Sequence, residues 1–202
     1  PLLEKKRALL ARLDETLAAL RTSSREGTDQ PAYRAALDQA LKAIVQEAIG
    51  DGVKIDLEGR ILDGSTEDVN PAGFTIHSAV HAARHDATCV LHTHMPYATA
   101  LTLTEGRTID TTLSQNAMRF HGRVAVDAHY NGLALDLSEG ERIARAMQGA
   151  DVVFLGNHGV VVCGDRIDYT YDDLYYLERA CQVQVLAAST GRPRPAPTPK
   201  RR

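Results

Sequence analysis

The chain has 202 residues, 44% of them hydrophobic and 24% charged, with a formal net charge of -3 at pH 7. That length suits one globular domain with a sizeable core, and the mild acidity argues against a nucleic-acid partner, whose footprint is a basic face. No apolar run reaches the roughly 18 residues that span a membrane, and three well-separated cysteines (Cys89, Cys163, Cys181) with no CxxC pair fit a reduced, cytoplasmic protein.

The opening segment, Pro1 to Arg7, is not followed by the longer apolar core of a signal peptide. Leu2, Leu3, Leu9, Leu10, Leu13, Leu17 and Leu20 recur at helical spacing over 2–21. A polar break from Arg21 to Pro31 precedes a second predicted helix over 33–49, carried by Leu37, Leu41, Ile44 and Val45 and ended by Gly50-Asp51-Gly52. Val53 to Leu57 alternates as a half-buried strand, Glu58-Gly59 turns, and Arg60-Ile61-Leu62 returns, which predicts a hairpin.

Asn70-Pro71 supplies a capping side chain and then a proline in the first turn, so a helix is expected from there to about Arg84. A short strand follows over Ala87 to Leu91, then a helix over Tyr97 to Leu103 and a strand over Arg123 to Val126. Ser138 to Met147 reads as a helix with Glu139 and Glu141 near its positive end. Asp151 to Leu155 and Val160 to Cys163 are β-branched strand runs framing Gly156-Asn157-His158-Gly159. Asp172 to Ser189 reads as a long closing helix, and the Pro-rich basic stretch from Gly191 to Arg202 as a disordered, solvated tail. Helices alternate with strands, which predicts an α/β class with a sheet covered on both faces. The organisation expected is an N-terminal helical extension (1–30), a main domain (31–191) and the tail (192–202).

The strongest local chemistry is His92-Thr93-His94 at the end of an apolar strand. Side chains at i and i+2 leave a strand on the same face, so two imidazoles there can reach one ion at about 2.0–2.1 Å each. His158 is the best third donor, because it also sits at a strand end with Gly156 and Gly159 beside it. Three protein donors leave a coordination position open, the arrangement of a catalytic rather than a structural metal site. The residues alone leave open whether this set binds metal or is incidental.

His77, His81 and His85 are spaced i, i+4, i+8 on one helix face, a spacing that also suits a metal. No acidic residue accompanies them as in HExxH, so a polar helix face is the preferred reading, with His77 lining the site. His121 and His129 stay unassigned. The three cysteines read as small core residues.

Together these residues carry a resemblance. Asn70-Pro-Ala-Gly-Phe-Thr-Ile-His-Ser-Ala-Val-His-Ala-Ala-Arg84, then Val-Leu-His-Thr-His94, then Gly-Asn-His-Gly159, then Asp172-Asp-Leu-Tyr-Tyr-Leu-Glu-Arg-Ala-Cys-Gln182 resemble the class II aldolase/adducin family over roughly Val53 to Gly191. The resemblance implies a three-layer α/β/α fold with a central, mainly antiparallel sheet, and a homotetramer with active sites between subunits. It implies a divalent metal, zinc first and iron(II) or manganese(II) next, held by His92, His94 and His158. The metal acts as a Lewis acid on the oxygens of a small hydroxylated carbonyl substrate when a C–C bond breaks. Tyr130 resembles a family tyrosine that protonates the leaving group. Asp127, Glu105 and Glu178 are weaker acid/base candidates, and Thr93 and Asn157 are candidates to orient the metal ligands by hydrogen bonds.

Two departures from the family stand out. The aldolases carry a glutamate near the start of the helix before HxH, and Gly73 stands there; a glycine moves no proton. The strands and phosphate-binding loop expected before Val53 have no counterpart in Ile44 to Gly52. Three functions follow in order: an aldolase-like lyase, a non-haem iron(II) oxygenase or decarboxylase of the novobiocin-pathway type, and an adducin-like binding module. The retained histidines argue against the last.

Overall fold

The computed structural model describes residues 53–66, 68–130, 132 and 136–192. The helices expected over 2–21 and 33–49, the junction from Ile44 to Gly52 and the tail from residue 193 onward lie outside these residues. The chain divides into two units, Pro1–Glu67 and Asp68–Arg202.

In the first unit the expected hairpin contracts to a single antiparallel bridge between Ile55 and Ile61. Side chains occupy amides that a longer ladder would use. Asp56 Oδ1 accepts from the amides of Glu58 and Arg60 at 3.0 and 2.8 Å, and Asp63 Oδ2 accepts from that of Lys54 at 2.8 Å. Such local side-chain bonds offer the backbone an alternative to strand pairing. Gly59 takes the left-handed φ of 83° that the turn requires.

The second unit holds α1 (Pro71–Ala83), β1 (Cys89–Thr93), α2 (Pro96–Thr102), α3 (Gln115–Met118), β2 (Val124–Asp127), α4 (Leu137–Ala146), β3 (Val152–Leu155), β4 (Gly159–Gly164) and α5 (Ile167–Ser189). The four strands form one mixed sheet in the order β1-β4-β3-β2. β4 is antiparallel to both β1 and β3, and β2 is parallel to β3, so two of the three pairings are antiparallel, as expected. This topology brings the C-terminal ends of β1, β2 and β3 and the N-terminal end of β4 to one edge of the sheet.

β3 and β4 read as unbroken apolar runs because both their faces are covered. Val152, Phe154, Val160 and Val162 face a cluster with Leu101 of α2, Ala117 of α3 and Leu177 and Cys181 of α5. Val153, Leu155, Val161 and Cys163 face the other way, onto Ile76 and Val80 of α1 and Ile143 of α4. Each fully buried Val, Ile or Phe contributes about 1.5–3 kcal/mol. This is the α/β fold the sequence predicts.

α1 starts where expected. Asn70 Oδ1 accepts from the amides of Ala72 and Gly73 at 3.0 and 3.2 Å, and Pro71 occupies the first turn. Gly140 lets α4 approach α1: a Cβ there would stand 2.5 Å from the carbonyl oxygen of Thr75. At the far end of α1, the Arg84 guanidinium donates to the carbonyls of Met147 and Ala150 at 3.1 and 2.6 Å, satisfying the exposed end of α4. The closing helix α5 begins at Ile167, five residues earlier than its apolar pattern suggests, with Arg166 paired to Asp168 at 2.8 Å beside its first turn.

A three-histidine cluster at the sheet edge

His92 lies in β1, His94 just beyond it, and His158 in the three-residue turn between β3 and β4. The antiparallel pairing of β1 with β4 sets Thr93 against Val160, which carries the turn to the histidine pair. One ligand atom from each imidazole lies within 4.8 Å of the others. The ring centroids stand 4.6–5.0 Å apart.

The spacing suits an ion. His92 Nε2 and His94 Nε2 are 3.2 Å apart. Two imidazole nitrogens about 2.0–2.1 Å from a tetrahedral ion would be separated by about 3.3 Å. The tautomer suits it too. His92 Nδ1 is 3.0 Å from the carbonyl oxygen of Val160; that oxygen only accepts, so Nδ1 carries the hydrogen and Nε2 presents its lone pair to the cluster. Burial pushes the His92 imidazole down to about 4, opposed by the bond to Val160 and reinforced by the neighbouring His158, His94 and His77. Burial also holds His158 below its ordinary value. Both rings are therefore neutral at neutral pH, the form that binds metal. His94 is exposed, so the cluster opens to solvent on its side.

Among the described residues, this is the one His, Cys, Asp or Glu group placed to hold a metal. The His77, His81, His85 series does not form another. His85 lies beyond the end of α1, and His81 Nδ1 is 3.0 Å from the carbonyl oxygen of Ala87. His77 is half-buried, with its imidazole pushed below its usual value by burial and by His81.

The carboxylate candidates have structural partners. Asp127 is buried, paired with Arg142 Nε at 2.8 Å, and accepts from the His129 amide at 3.2 Å. Glu178 is also buried, and accepts from the amides of Tyr97 and Ala98 at 3.0 and 2.9 Å. It thus caps the positive end of α2, whose own N-cap, Met95, has no side chain to do so. Glu105 is exposed in a shallow depression with Leu103, Arg107 and Val126.

Tyr130 is exposed and makes no hydrogen bond or ring contact with the described residues. It follows β2 at the same sheet edge as the histidines. β2 pairs with β3, the strand that leads into the His158 turn. The Thr93 hydroxyl is buried without a hydrogen-bond partner among the described residues. Asn157 adopts a left-handed φ of 58°, and its Oδ1 accepts from Arg107 Nη1. Burial raises the thiols of Cys89, Cys163 (to about 11) and Cys181, so none is a thiolate at neutral pH.

Residues 42–185 match the family described as Class II Aldolase and Adducin N-terminal domain. A Pseudomonas aeruginosa protein with the provisional name aldolase class 2 protein is 40% identical over 69% of this chain and 52% of its own length. A Streptomyces roseochromogenus protein named 4-hydroxy-3-prenylphenylpyruvate oxygenase/4-hydroxy-3-prenylbenzoate synthase is 32% identical, over 73% of this chain and 52% of its own. Alpha-adducin of Rattus norvegicus is 37% identical over 70% of this chain but only 19% of its own length. Among solved structures, an aldolase II superfamily protein from Pseudomonas syringae superposes with a TM-score of 0.63 at 41% identity, covering 68% of this chain and 55% of that one. The chain thus spans about half the length of the curated bacterial relatives it matches.

Proposed function

The chain belongs to the class II aldolase and adducin family, and from that premise we propose that it is a metal-dependent, aldolase-like lyase acting on a small hydroxylated carbonyl compound. The observation that carries the reading is the convergence of His92, His94 and His158, with ligand atoms within 4.8 Å of one another. A divalent ion bound there, zinc first and iron(II) or manganese(II) next, supplies Lewis acidity toward a substrate carbonyl. The chain's own part is to hold three imidazoles at the open sheet edge, with the His92 ring fixed through Val160, and to leave the solvent side for substrate.

In this reading Tyr130 is the proton donor to the leaving group, and the active sites lie between the subunits of a homotetramer. Its exposure, and its place just after β2 at the same end of the sheet as the histidines, support that assignment. His77 and Asn157 stand behind the ligands, the first near enough to bear on the His92 ring and the second through the turn that carries His158. Three free cysteines suit the cytoplasm. Among the described residues no helix is long and apolar enough to cross a membrane.

A second reading has its own support. The cluster contains no carboxylate, Gly73 stands where the family's aldolases carry glutamate, and one relative is named as an oxygenase. Three neutral imidazoles accept iron(II) as readily as zinc. The test is a panel of sugars and hydroxy-keto acids presented to zinc- and iron-loaded protein, with retro-aldol cleavage, epimerisation, enolate proton exchange and oxygen uptake all measured. Cleavage or exchange without oxygen uptake is the expected result. Oxygen consumption dependent on iron, with no such activity, would overturn the lyase in favour of the oxygenase.

A further inference from the structure

We propose that Arg107 is a positioning residue that latches the turn carrying His158, and so sets the third corner of the histidine cluster; the inference rests on the metal-centre reading above.

The three histidines are not held alike. His92 has a ring tether, the bond from Nδ1 to Val160. The His158 ring makes no hydrogen bond with any described residue; its ring contacts are with His92 and His94. Where that imidazole stands is therefore decided by its backbone, the turn from Leu155 to Gly159. A ligand that must come within about 2.0–2.1 Å of an ion tolerates only small errors in that backbone, about 0.5 Å.

The turn is fastened from three sides. The Gly156 amide donates to the Asp127 carbonyl at 2.7 Å, and the Asn157 amide to the Thr102 carbonyl at 3.3 Å. Arg107 provides the third fastening. Its Nη1 donates both to the Thr102 carbonyl at 3.3 Å and to Asn157 Oδ1. It thereby ties the end of α2 to the residue immediately before His158. The guanidinium passes over the bare face of Gly156, where a Cβ would stand 2.9 Å from Nη1.

Both partners pay in backbone conformation. Arg107 and Asn157 are the two non-glycine residues with positive φ among the described residues, at 53° and 58°. Asparagine tolerates that region; for arginine it is uncommon and persists only where surrounding structure over-determines it. Two left-handed residues 50 positions apart, joined side chain to side chain next to a ligand, mark a built contact.

The test uses the full chain, metal-free and then titrated with cobalt(II), whose visible spectrum reports coordination geometry. Wild type, Arg107→Ala, Arg107→Lys and Asn157→Ala are compared by chelator competition, by cobalt spectrum and by thermal unfolding of the metal-free form. Arg107→Ala is expected to weaken cobalt binding about 10- to 100-fold, with an altered spectrum and a folded metal-free chain. Arg107→Lys, which keeps the charge but lacks the planar fork, recovers part of the affinity. Asn157→Ala matches Arg107→Ala, and combining the two adds little. Amide exchange at residues 156–159 of the metal-free chain accelerates in Arg107→Ala. An Arg107→Ala chain that binds cobalt with wild-type affinity and spectrum overturns the latch alone. A wild-type chain that binds no cobalt overturns the metal-centre reading beneath it.

Discussion

His92 Nδ1 lies 3.0 Å from the carbonyl oxygen of Val160 on the paired strand. One hydrogen bond settles which ring nitrogen is free and which way the ring faces; burial, working against that bond, takes the ring to about 4 and holds it neutral in the folded chain. That burial makes stability depend on pH. Below about 6.5 the unfolded chain takes up a proton at residue 92 that the folded, metal-free chain refuses until about pH 4. This histidine therefore costs nothing above pH 6.5, costs progressively more as pH falls from 6.5 to about 4, and levels off below. The full loss is about 2 kcal/mol, less than the whole shift implies because the ring is partly exposed. His158 and His77, lowered in the same direction, add to the slope. Urea midpoints of metal-free protein at pH 7, 5.5 and 4 measure it, and His92→Gln flattens the profile. An equally steep profile in that variant would contradict the assignment.

Gly73 is a position with room. A Cβ there meets nothing nearer than Asn70 at 3.9 Å. It is the third residue of α1 after the Asn70 cap, where an acidic side chain is favoured by the helix dipole and can reach back to the cap amide. Gly73→Glu is expected to raise stability by about 0.5–1.5 kcal/mol, read as a higher melting temperature. On the lyase reading it also raises enolate proton exchange by the metal-loaded chain. A destabilised variant would show that the start of α1 is more constrained than its contacts suggest.

Gly140 has no such room. A Cβ would stand 2.5 Å from the Thr75 carbonyl oxygen and 3.0 Å from Ala79 Cβ. Gly140→Ala forces α4 away from α1 and is expected to cost about 1–3 kcal/mol despite alanine's better helix propensity. Denaturant unfolding distinguishes the two effects by sign.

Glu178 joins α5 to the first turn of α2, two residues after His94. Glu178→Ala leaves the Tyr97 and Ala98 amides without their acceptor and is expected to cost about 1–2 kcal/mol, with weaker metal binding because His94 enters that helix. Glu178→Gln keeps one acceptor and loses less on both counts. Equal metal affinity in the alanine variant would limit Glu178 to a purely structural cap.

Much of this was legible in the sequence because the signals are local. Asn70-Pro71 announced α1 through a cap and a proline, and the apolar runs of β3 and β4 announced strands buried on both faces. The HxH pair could be placed on one strand face from spacing, His158 was suggested as the third donor by its glycine-flanked strand end, and the family resemblance implied that the three bind one metal. The shortfalls share a cause. The hairpin shrank because Asp56 and Asp63 took the amides it needed. α3 is a single turn with no periodicity to detect. The contacts of Arg107 with Asn157, and of Glu178 with α2, join residues 50 and about 80 positions apart, and no window along the chain contains both partners. Glu178 and Asp127 were weighed as acid/base groups because an acidic side chain looks the same in sequence whether it moves a proton, caps a helix or pairs with an arginine.

The central claim is that His92, His94 and His158 form one divalent-metal site. Its most direct test is elemental analysis of the full chain, purified without oxygen and re-equilibrated with zinc, iron(II) or manganese(II), beside a variant carrying His92→Ala, His94→Ala and His158→Ala. The account predicts a single bound divalent ion per wild-type chain and none in a variant that remains folded. Wild-type protein that retains no ion, or a variant that retains as much as wild type, would contradict it.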